Sequence, residues 1–187
     1  VLNRCVYTSL SIDTEKSELE ALVKNPPATV MILASDVGDP TPEGSCAMIE
    51  TYFQPILKEI GVSVPIVDVG TMDPPSIGLN IRQIQEVRER YGYPAGCAFA
   101  NCFPQWTSLK SLGNDWVNLS LAASLTAIRA AGGDYLHYGI IEKAAVAAHA
   151  AGTAEMFYGY AAQELDGYQL PEGHALWKMF KLSEEEV

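Results

Sequence analysis

The chain has 187 residues, of which 23 are acidic and 12 are basic, so its formal net charge is −11. Hydrophobic residues make up 48% of the chain, which is typical of a globular protein that buries a sizeable core. The length predicts one domain, residues 1–187. A surface this acidic repels phosphate backbones and anionic bilayers, so we expect no nucleic-acid partner, and no apolar run reaches the about 18 residues of a membrane span.

The cysteines fit neither a CxxC motif nor the spacing of a zinc ribbon. Their positions are Cys5, Cys46, Cys97 and Cys102. Free buried thiols are common on and beside strands, and we interpret these four as reduced. Since no signal peptide is evident, we expect a cytoplasmic protein without a metal site at its cysteines.

Apolar runs and amphipathic stripes alternate along the whole chain, which predicts strands and helices in turn. The predicted strands are 4–9, 28–34, 64–69, 95–100 and 134–138. The predicted helices are 14–24, 45–60, 77–91, 116–131 and 142–165, followed by a short capping helix at 176–182. Pro55 lies inside the second helix and is expected to kink or divide it.

Strict β/α alternation with right-handed crossovers predicts a parallel sheet. We assign the α/β class and, more specifically, a (β/α)8 TIM barrel of which this chain covers about the last five units. A doubly wound open sheet is the structural alternative, although its GxGxxG signature is absent. Because the chain begins with Val1 and runs directly into a strand, we expect it to be part of a longer polypeptide.

Each predicted strand ends in side chains that form hydrogen bonds. These are Thr8 and Ser9, Ser35 and Asp36, Asp68, Asn101, and His137 with Tyr138. Solvated strand ends and turns favour such residues for structural reasons alone. Five in succession favour a functional rim, because barrel enzymes build their sites at the carboxyl ends of the strands.

Asp68 and Asn101 are the strongest candidates within this rim. A carboxylate accepts two hydrogen bonds from an aminopyrimidine-like edge, and an amide both donates and accepts, so the pair suits a flat, nitrogen-rich heterocycle. The alternatives are a turn aspartate that holds backbone amides and a loop asparagine in the left-handed region. Phe103 and Trp106 lie just beyond Asn101 and either flank such a ligand or line the core.

The loop at 35–44 is acidic and has two interpretations. Asp36, Asp39 and Glu43 are oxygen ligands of the kind that bind a divalent metal. The same spacing suits a turn followed by a helix N-terminus, where acidic side chains stabilise the dipole, and we favour the turn. Of the histidines only His137 is placed for a site, and no nucleophilic triad is legible.

Several ordered motifs resemble one family. PIVDVGTMDPPSIGL (65–79), RYGYPAGCAFAN (90–101), YLHYGIIEKAAVAAHAAGTAEMFYGYAAQEL (135–165) and DPTPEG (39–44) are similar to the H subunit of tetrahydromethanopterin S-methyltransferase and its bacterial relatives. The similarity extends over nearly all of the chain. Members of this family are (β/α)8 barrels, so the resemblance implies that the first strands of the barrel are missing here.

The resemblance also implies roles for individual residues. In related methyltetrahydrofolate:corrinoid methyltransferases, strand-end Asp and Asn residues bind the pterin. Those roles fall on Asp68, at the pterin ring, and on Asn101, which would form a hydrogen bond near N5 and so take part in catalysis. Gln105 resembles a polar residue just beyond that Asn, and Asp39 matches the loop motif.

The implied reaction moves a methyl group between N5 of tetrahydrofolate or tetrahydromethanopterin and the cobalt of a cobalamin-type corrinoid carried by a partner protein. It would belong to one-carbon metabolism. Five strands leave unpaired edges, so we expect a homodimer or another partner. Three alternatives stay open: a demethylase that takes methyl groups from amines or ethers, a non-catalytic subunit that docks a corrinoid protein, and a metal-dependent lyase or aldolase.

Overall fold

The computed structural model describes residues 4–180, and these form a five-stranded parallel sheet with helices in the connections. The strands are β1 (Val6–Leu10), β2 (Thr29–Leu33), β3 (Ile66–Asp68), β4 (Ala95–Cys97) and β5 (Tyr135–Leu136). The helices are α1 (Lys16–Lys24), α2 (Pro42–Met48), α3 (Gln54–Ile60), α4 (Ile77–Tyr91), α5 (Thr107–Ser111), α6 (Asn114–Ala130), α7 (Ala144–Asp166) and α8 (Ala175–Met179). Short 3₁₀ turns at Pro74–Ser76, Phe99–Gln105 and Ile141–Lys143 lead into α4, α5 and α7.

The strand order in the sheet is β1-β2-β3-β4-β5, the same as the order along the chain. The predicted α/β class and all five predicted strands are therefore confirmed. A doubly wound sheet reverses its strand order at a switch point, and this sheet does not. The unreversed order is compatible with consecutive units of a (β/α) barrel, in which right-handed crossovers carry all helices to one face.

Burial alternates along β2 in agreement with a single layer of helices. Val30 and Ile32 are fully buried, whereas Thr29, Met31 and Leu33 are half-buried. Successive side chains of a strand point to opposite faces, so Val30 and Ile32 face the helices. The core continues on the helices through residues such as Ile84 of α4 and Leu125 of α6.

Two predicted boundaries need correction. Strand β4 ends at Cys97, so Asn101 lies in the 3₁₀ turn Phe99–Gln105 and not at the strand end. The apolar run at 95–100 continues past the strand because Phe99 is fully buried in the turn. The predicted capping helix at 176–182 corresponds to α8, and its residues 181 and 182 lie outside the described part of the chain.

The predicted interruption at Pro55 is confirmed. A π-helical segment, Ile49–Phe53, separates α2 from α3, and Pro55 is the second residue of α3. Proline has no N–H to donate to the preceding turn, and a wider turn accommodates the carbonyl groups that it leaves unpaired.

A chain of buried polar side chains connects β2, α2, α4 and the loop after β3. Ser45 donates to the carbonyl oxygen of Ala34 over 2.8 Å and accepts from Nε2 of Gln83 over 2.9 Å. The amide of Asn80 donates to Oε1 of Gln83 over 2.9 Å and also to the carbonyl oxygen of Gly70. These hydrogen bonds attach the loop after β3 to its neighbouring elements.

No helix within residues 4–180 combines the length and the hydrophobicity that crossing a bilayer requires.

We expect Gln83→Leu to lower the free energy of unfolding by about 1–3 kcal/mol, because each buried polar partner left without a hydrogen bond costs about that much. Urea denaturation of the full-length protein measures the change. Gln85→Leu, on the exposed side of α4, is the matched control and should stay within about 0.5 kcal/mol of wild type. Equal stability of both variants would show that the buried hydrogen bonds of Gln83 do not hold β2, α2 and α4 together.

Candidate functional site

Asp68 is the last residue of β3 and its side chain is buried, with 8% of the residue exposed. Its Oδ1 accepts the N–H of Gly70 over 2.8 Å, and its carbonyl oxygen accepts the N–H of Ala34 over 2.8 Å. Its partners in the neighbouring strands are Leu33 and Gly96, so Asp68 has a strand on each side. It lies where the carboxyl ends of these strands meet. The carboxylate is fixed in place and one of its oxygens already has a donor.

Burial raises the pKa of the Asp68 carboxyl above its ordinary value. The Gly70 N–H, the nearby Tyr135 hydroxyl and the imidazole of His137 act in the opposite direction, because each stabilises the charged form. A buried carboxyl with several polar neighbours at the carboxyl edge of a parallel sheet is the kind of group found in functional sites.

The loop that follows Asp68 is rigid because its backbone is bonded on several sides. Gly70 adopts a φ of +67°, and a Cβ there would lie 2.5 Å from the side chain of Ser35. Thr71 donates to Oδ1 of Asn80 over 2.9 Å. Sequence reasoning missed Asn80, although a polar residue on the apolar stripe of α4 is a signal that a buried partner exists.

Asp73, and not Ser76, provides the side-chain cap at the start of α4. Oδ1 of Asp73 accepts the N–H of Ser76 over 2.9 Å, and Oγ of Ser76 accepts the N–H of Asp73 over 3.1 Å. Asp73 therefore caps the 3₁₀ turn, whereas Ser76, at the N-cap position of α4, makes no side-chain hydrogen bond into α4 itself.

Asn101 is exposed and lies on the wall of a cavity of about 590 Å³. The other wall residues are mostly apolar and come from the turn after β4, from α5 and α6, and from the loop after β5, among them Phe103, Leu121 and Tyr138. Lys110 and Lys143 add positive charge to this wall. A cavity of this size and character is typical of small-molecule sites.

Gln105 lies at a second cavity, of about 450 Å³, which it shares with Asp73, Pro74, Pro75 and Trp106. Its Nε2 donates to the carbonyl oxygen of Met72 over 3.0 Å. Gln105 therefore joins the turn after β4 to the loop after β3.

Asp39 is part of the turn that starts α2. Its Oδ1 accepts the hydroxyl of Thr41 over 2.5 Å, and Oγ1 of Thr41 accepts the N–H of Gly44 over 3.2 Å. A Cβ at Gly44 would collide with the carbonyl oxygen of Asp39, so only glycine fits this turn. This geometry favours the helix-start interpretation of the acidic loop. Within residues 4–180, no three His, Cys, Asp or Glu side chains converge as a metal site.

Three further side chains lie around Asp68, those of His137, Tyr135 and Cys97. His137 is exposed one residue beyond β5, near enough to act electrostatically on the Asp68 carboxyl. Tyr135 of β5 was not among the sequence candidates, yet it lies beside Asp68. Burial raises the pKa of the Cys97 thiol to about 12, so this neighbour stays protonated and is not a nucleophile.

Asp68 lies at the end of β3, and Asn101 and Gln105 lie in the turn after β4. Asp68 is buried at the strand end, Asn101 lines the larger cavity, and Gln105 lines the smaller one. Asp39 lies after β2 and is engaged with Thr41.

The pKa of Asp68 gives a prediction about stability. The folded protein binds the Asp68 proton more tightly than the unfolded chain, so the free energy of unfolding falls as pH rises from the ordinary pKa of 3.8 through the raised value. This penalty is absent below the ordinary pKa and complete above the raised one. Asp68→Asn removes the titrating group and should flatten this decline in urea denaturation between about pH 3 and pH 7.

Asp13→Asn, at an exposed aspartate, is the control and should keep the wild-type pH dependence because Asp68 is intact. An Asp68→Asn variant with an undiminished decline would show that burial at this position does not disfavour the charge.

The sequence is similar to proteins of one family. A family model described as "Tetrahydromethanopterin S-methyltransferase MtrH subunit" matches residues 1–168. The H subunit of tetrahydromethanopterin S-methyltransferase from Methanosarcina mazei is 26% identical over 96% of this chain and 61% of its own length. The protein of the same name from Methanothermobacter thermautotrophicus is 28% identical over 95% of this chain and 60% of its own length.

The chain thus spans about 60% of the length of these relatives. The family match extends over β1 to β5 and all three site residues after β3 and β4. With its α/β fold and its strand-end site, the chain belongs to the family of the tetrahydromethanopterin S-methyltransferase MtrH subunit.

Proposed function

We propose that this protein is a methyltransferase that moves a methyl group between N5 of a reduced pterin and the cobalt of a corrinoid protein. The observation that carries the proposal is the buried Asp68 carboxylate at the carboxyl end of β3, in a chain of this family. The names of the relatives refer to tetrahydromethanopterin, which is a pterin, and to methyl transfer. A carboxylate suits the amino-bearing edge of a pterin because it only accepts hydrogen bonds, whereas the ring edge donates them.

The proposal includes the closed barrel. The strands follow one another in chain order and every adjacent pair is parallel, as in consecutive units of a (β/α)8 barrel. The sides of β1 and β5 that face away from this sheet would then pair with further strands. Association with a second copy is the other way to cover these edges, and the predicted homodimer stays a prediction.

Asn101 is assigned to the N5 side of the pterin. Its amide is exposed on the wall of the 590 Å³ cavity, where the aromatic side chains of Phe103 and Tyr138 offer faces to a flat ring. Lys110 and Lys143 suit the carboxylates at the far end of a folate-type carrier, in a protein that is otherwise strongly acidic. Gln105 holds the loop after β3 against this region through its bond to Met72.

The residues of the chain contribute positioning and one hydrogen bond. When the methyl group leaves, the N5–carbon bond breaks, its electron pair stays on N5, and the Asn101 amide donates to that nitrogen. In the reverse direction, N5 supplies the electron pair and the same amide serves to hold the ring in line. The corrinoid of the partner protein accepts or supplies the methyl group.

Asn101→Ala should slow methyl transfer about 10²- to 10³-fold, because one preorganised hydrogen bond to a developing charge is lost. The visible bands of cobalamin, and then of a corrinoid protein, report the rate when the full-length protein is mixed with methyltetrahydrofolate or methyltetrahydromethanopterin. Asn25→Ala is the control, since Asn25 is an exposed asparagine that precedes β2 at the opposite end of the sheet.

A wild-type rate in the Asn101→Ala variant would remove this residue from the mechanism. A wild-type protein that binds a corrinoid protein and transfers no methyl group would overturn the proposed reaction and favour a docking role. Transfer from methylated amines or aryl ethers, and not from a pterin, would favour the demethylase.

A further inference from the structure

Three residues in register across β3, β4 and β5 form one row at the carboxyl edge. Asp68 pairs with Gly96, and Gly96 pairs with Tyr135. Paired residues of parallel strands have side chains on the same face of the sheet. Asp68 and Tyr135 therefore lie on one face, separated by a residue without a side chain.

The missing side chain at Gly96 lets the ring of Tyr135 cross β4. A Cβ built on Gly96 would lie 2.7 Å from Cδ1 and 2.8 Å from Cε1 of this ring. Because β4 lies between β5 and β3, a ring that crosses it from β5 extends toward Asp68. Glycine at 96 is required for this arrangement, since those distances leave no space for any other residue.

The hydroxyl of Tyr135 is the only buried side-chain oxygen or nitrogen within residues 4–180 that has no hydrogen-bond partner. Burial and then the adjacent Asp68 carboxylate raise the pKa of this hydroxyl, yet the two groups approach each other without completing a hydrogen bond of standard geometry. Burying a hydroxyl without a partner is unfavourable, and such a group needs an explanation in a native protein. A ligand that supplies the partner is one.

We propose that Tyr135 and Asp68 together read the lactam edge of a pterin ring, with the Tyr135 hydroxyl donating to the 4-oxo oxygen and Asp68 accepting the neighbouring N3–H. This inference rests on the proposed function and adds to it the ring edge that is recognised and a further specificity-determining residue. A donor next to an acceptor, both fixed on strands, is complementary to the –NH–C=O– group and not to a 4-amino ring, in which N3 carries no hydrogen.

The test compares Tyr135→Phe with wild type in the full-length protein, using two probes. One is the 4-oxo carrier, tetrahydrofolate or tetrahydromethanopterin, and the other is the 4-amino analogue of tetrahydrofolate. We expect the variant to bind the 4-oxo carrier roughly 3- to 10-fold more weakly, as the loss of one uncharged hydrogen bond implies. Its affinity for the 4-amino analogue should change less than about twofold, because position 4 of that ring carries an amino group in place of the acceptor oxygen.

Thermal unfolding without ligand separates this role from a structural one. Removing an unpartnered buried hydroxyl should leave the Tm of the free protein unchanged or raise it, whereas loss of a structural hydrogen bond would lower it. Tyr93→Phe is the matched control, because Tyr93 is a half-buried tyrosine that precedes β4 at the other end of the sheet. It should leave both affinities unchanged.

Equal weakening toward both probes, or a lowered Tm with unchanged affinities, would overturn the assignment of Tyr135 and leave the proposed methyl transfer standing. A wild-type protein that binds neither carrier would overturn the proposed function together with this inference.

Discussion

The position of the site depends on the backbone of one residue, Gly70, two positions after Asp68. The N–H of Gly70 donates to the Asp68 carboxylate, and the carbonyl oxygen of the same residue accepts from Asn80. A positive φ directs both groups, and contact with Ser35 excludes any residue other than glycine. The loop after β3 is therefore held from two sides, and the carboxylate cannot change its orientation unless this backbone moves. The buried polar chain through Gln83 has the same effect, because it connects this loop to α2 and to β2. Residues that contact no ligand thus set the geometry of the residue that would.

Sequence periodicity was sufficient for the class of the fold and for the sequence of its elements. The alternation of strand-like segments with amphipathic stripes predicted all five strands, and the clearest of them, at 28–34, is a continuous apolar run typical of a strand buried on both faces. The same signal placed the end of β4 too late. Apolar character reports burial and not strand pairing, so the buried Phe99 extended the predicted strand into a 3₁₀ turn and placed Asn101 at a strand end. Apolar patterns cannot predict whether a barrel closes, because closure depends on which strand edges pair.

The parts of the site that the sequence did not reveal depend on contacts between distant segments. Ser45 and Gln83 are 38 positions apart, and each resembles an ordinary surface residue until the other is placed beside it. In the sequence, Gly96 is a residue that disfavours a strand. Its structural role is evident only from the register, which places Tyr135 against it. Asp68 was legible because its meaning is local, a carboxylate directly after an apolar run. The register brings together residues of three different strands. A motif within one strand therefore cannot predict it.

The candidate site has unfilled hydrogen-bonding capacity, and this has consequences for specificity. The Asp68 carboxylate accepts the N–H of Gly70, and the neighbouring Tyr135 hydroxyl completes no hydrogen bond of standard geometry among the described residues, although both groups are buried. Burial without a full set of partners is unfavourable in the free protein, and a ligand with the right edge removes that cost when it binds. A ligand with the wrong edge leaves the same groups unpaired, and it is rejected more strongly than one that merely lacks a contact in an apolar pocket. In the proposed site, the apolar walls around Asn101 would accept many flat molecules, whereas the row of Asp68, Gly96 and Tyr135 would discriminate between them. Affinity and selectivity would therefore arise in different parts of the same edge of the sheet.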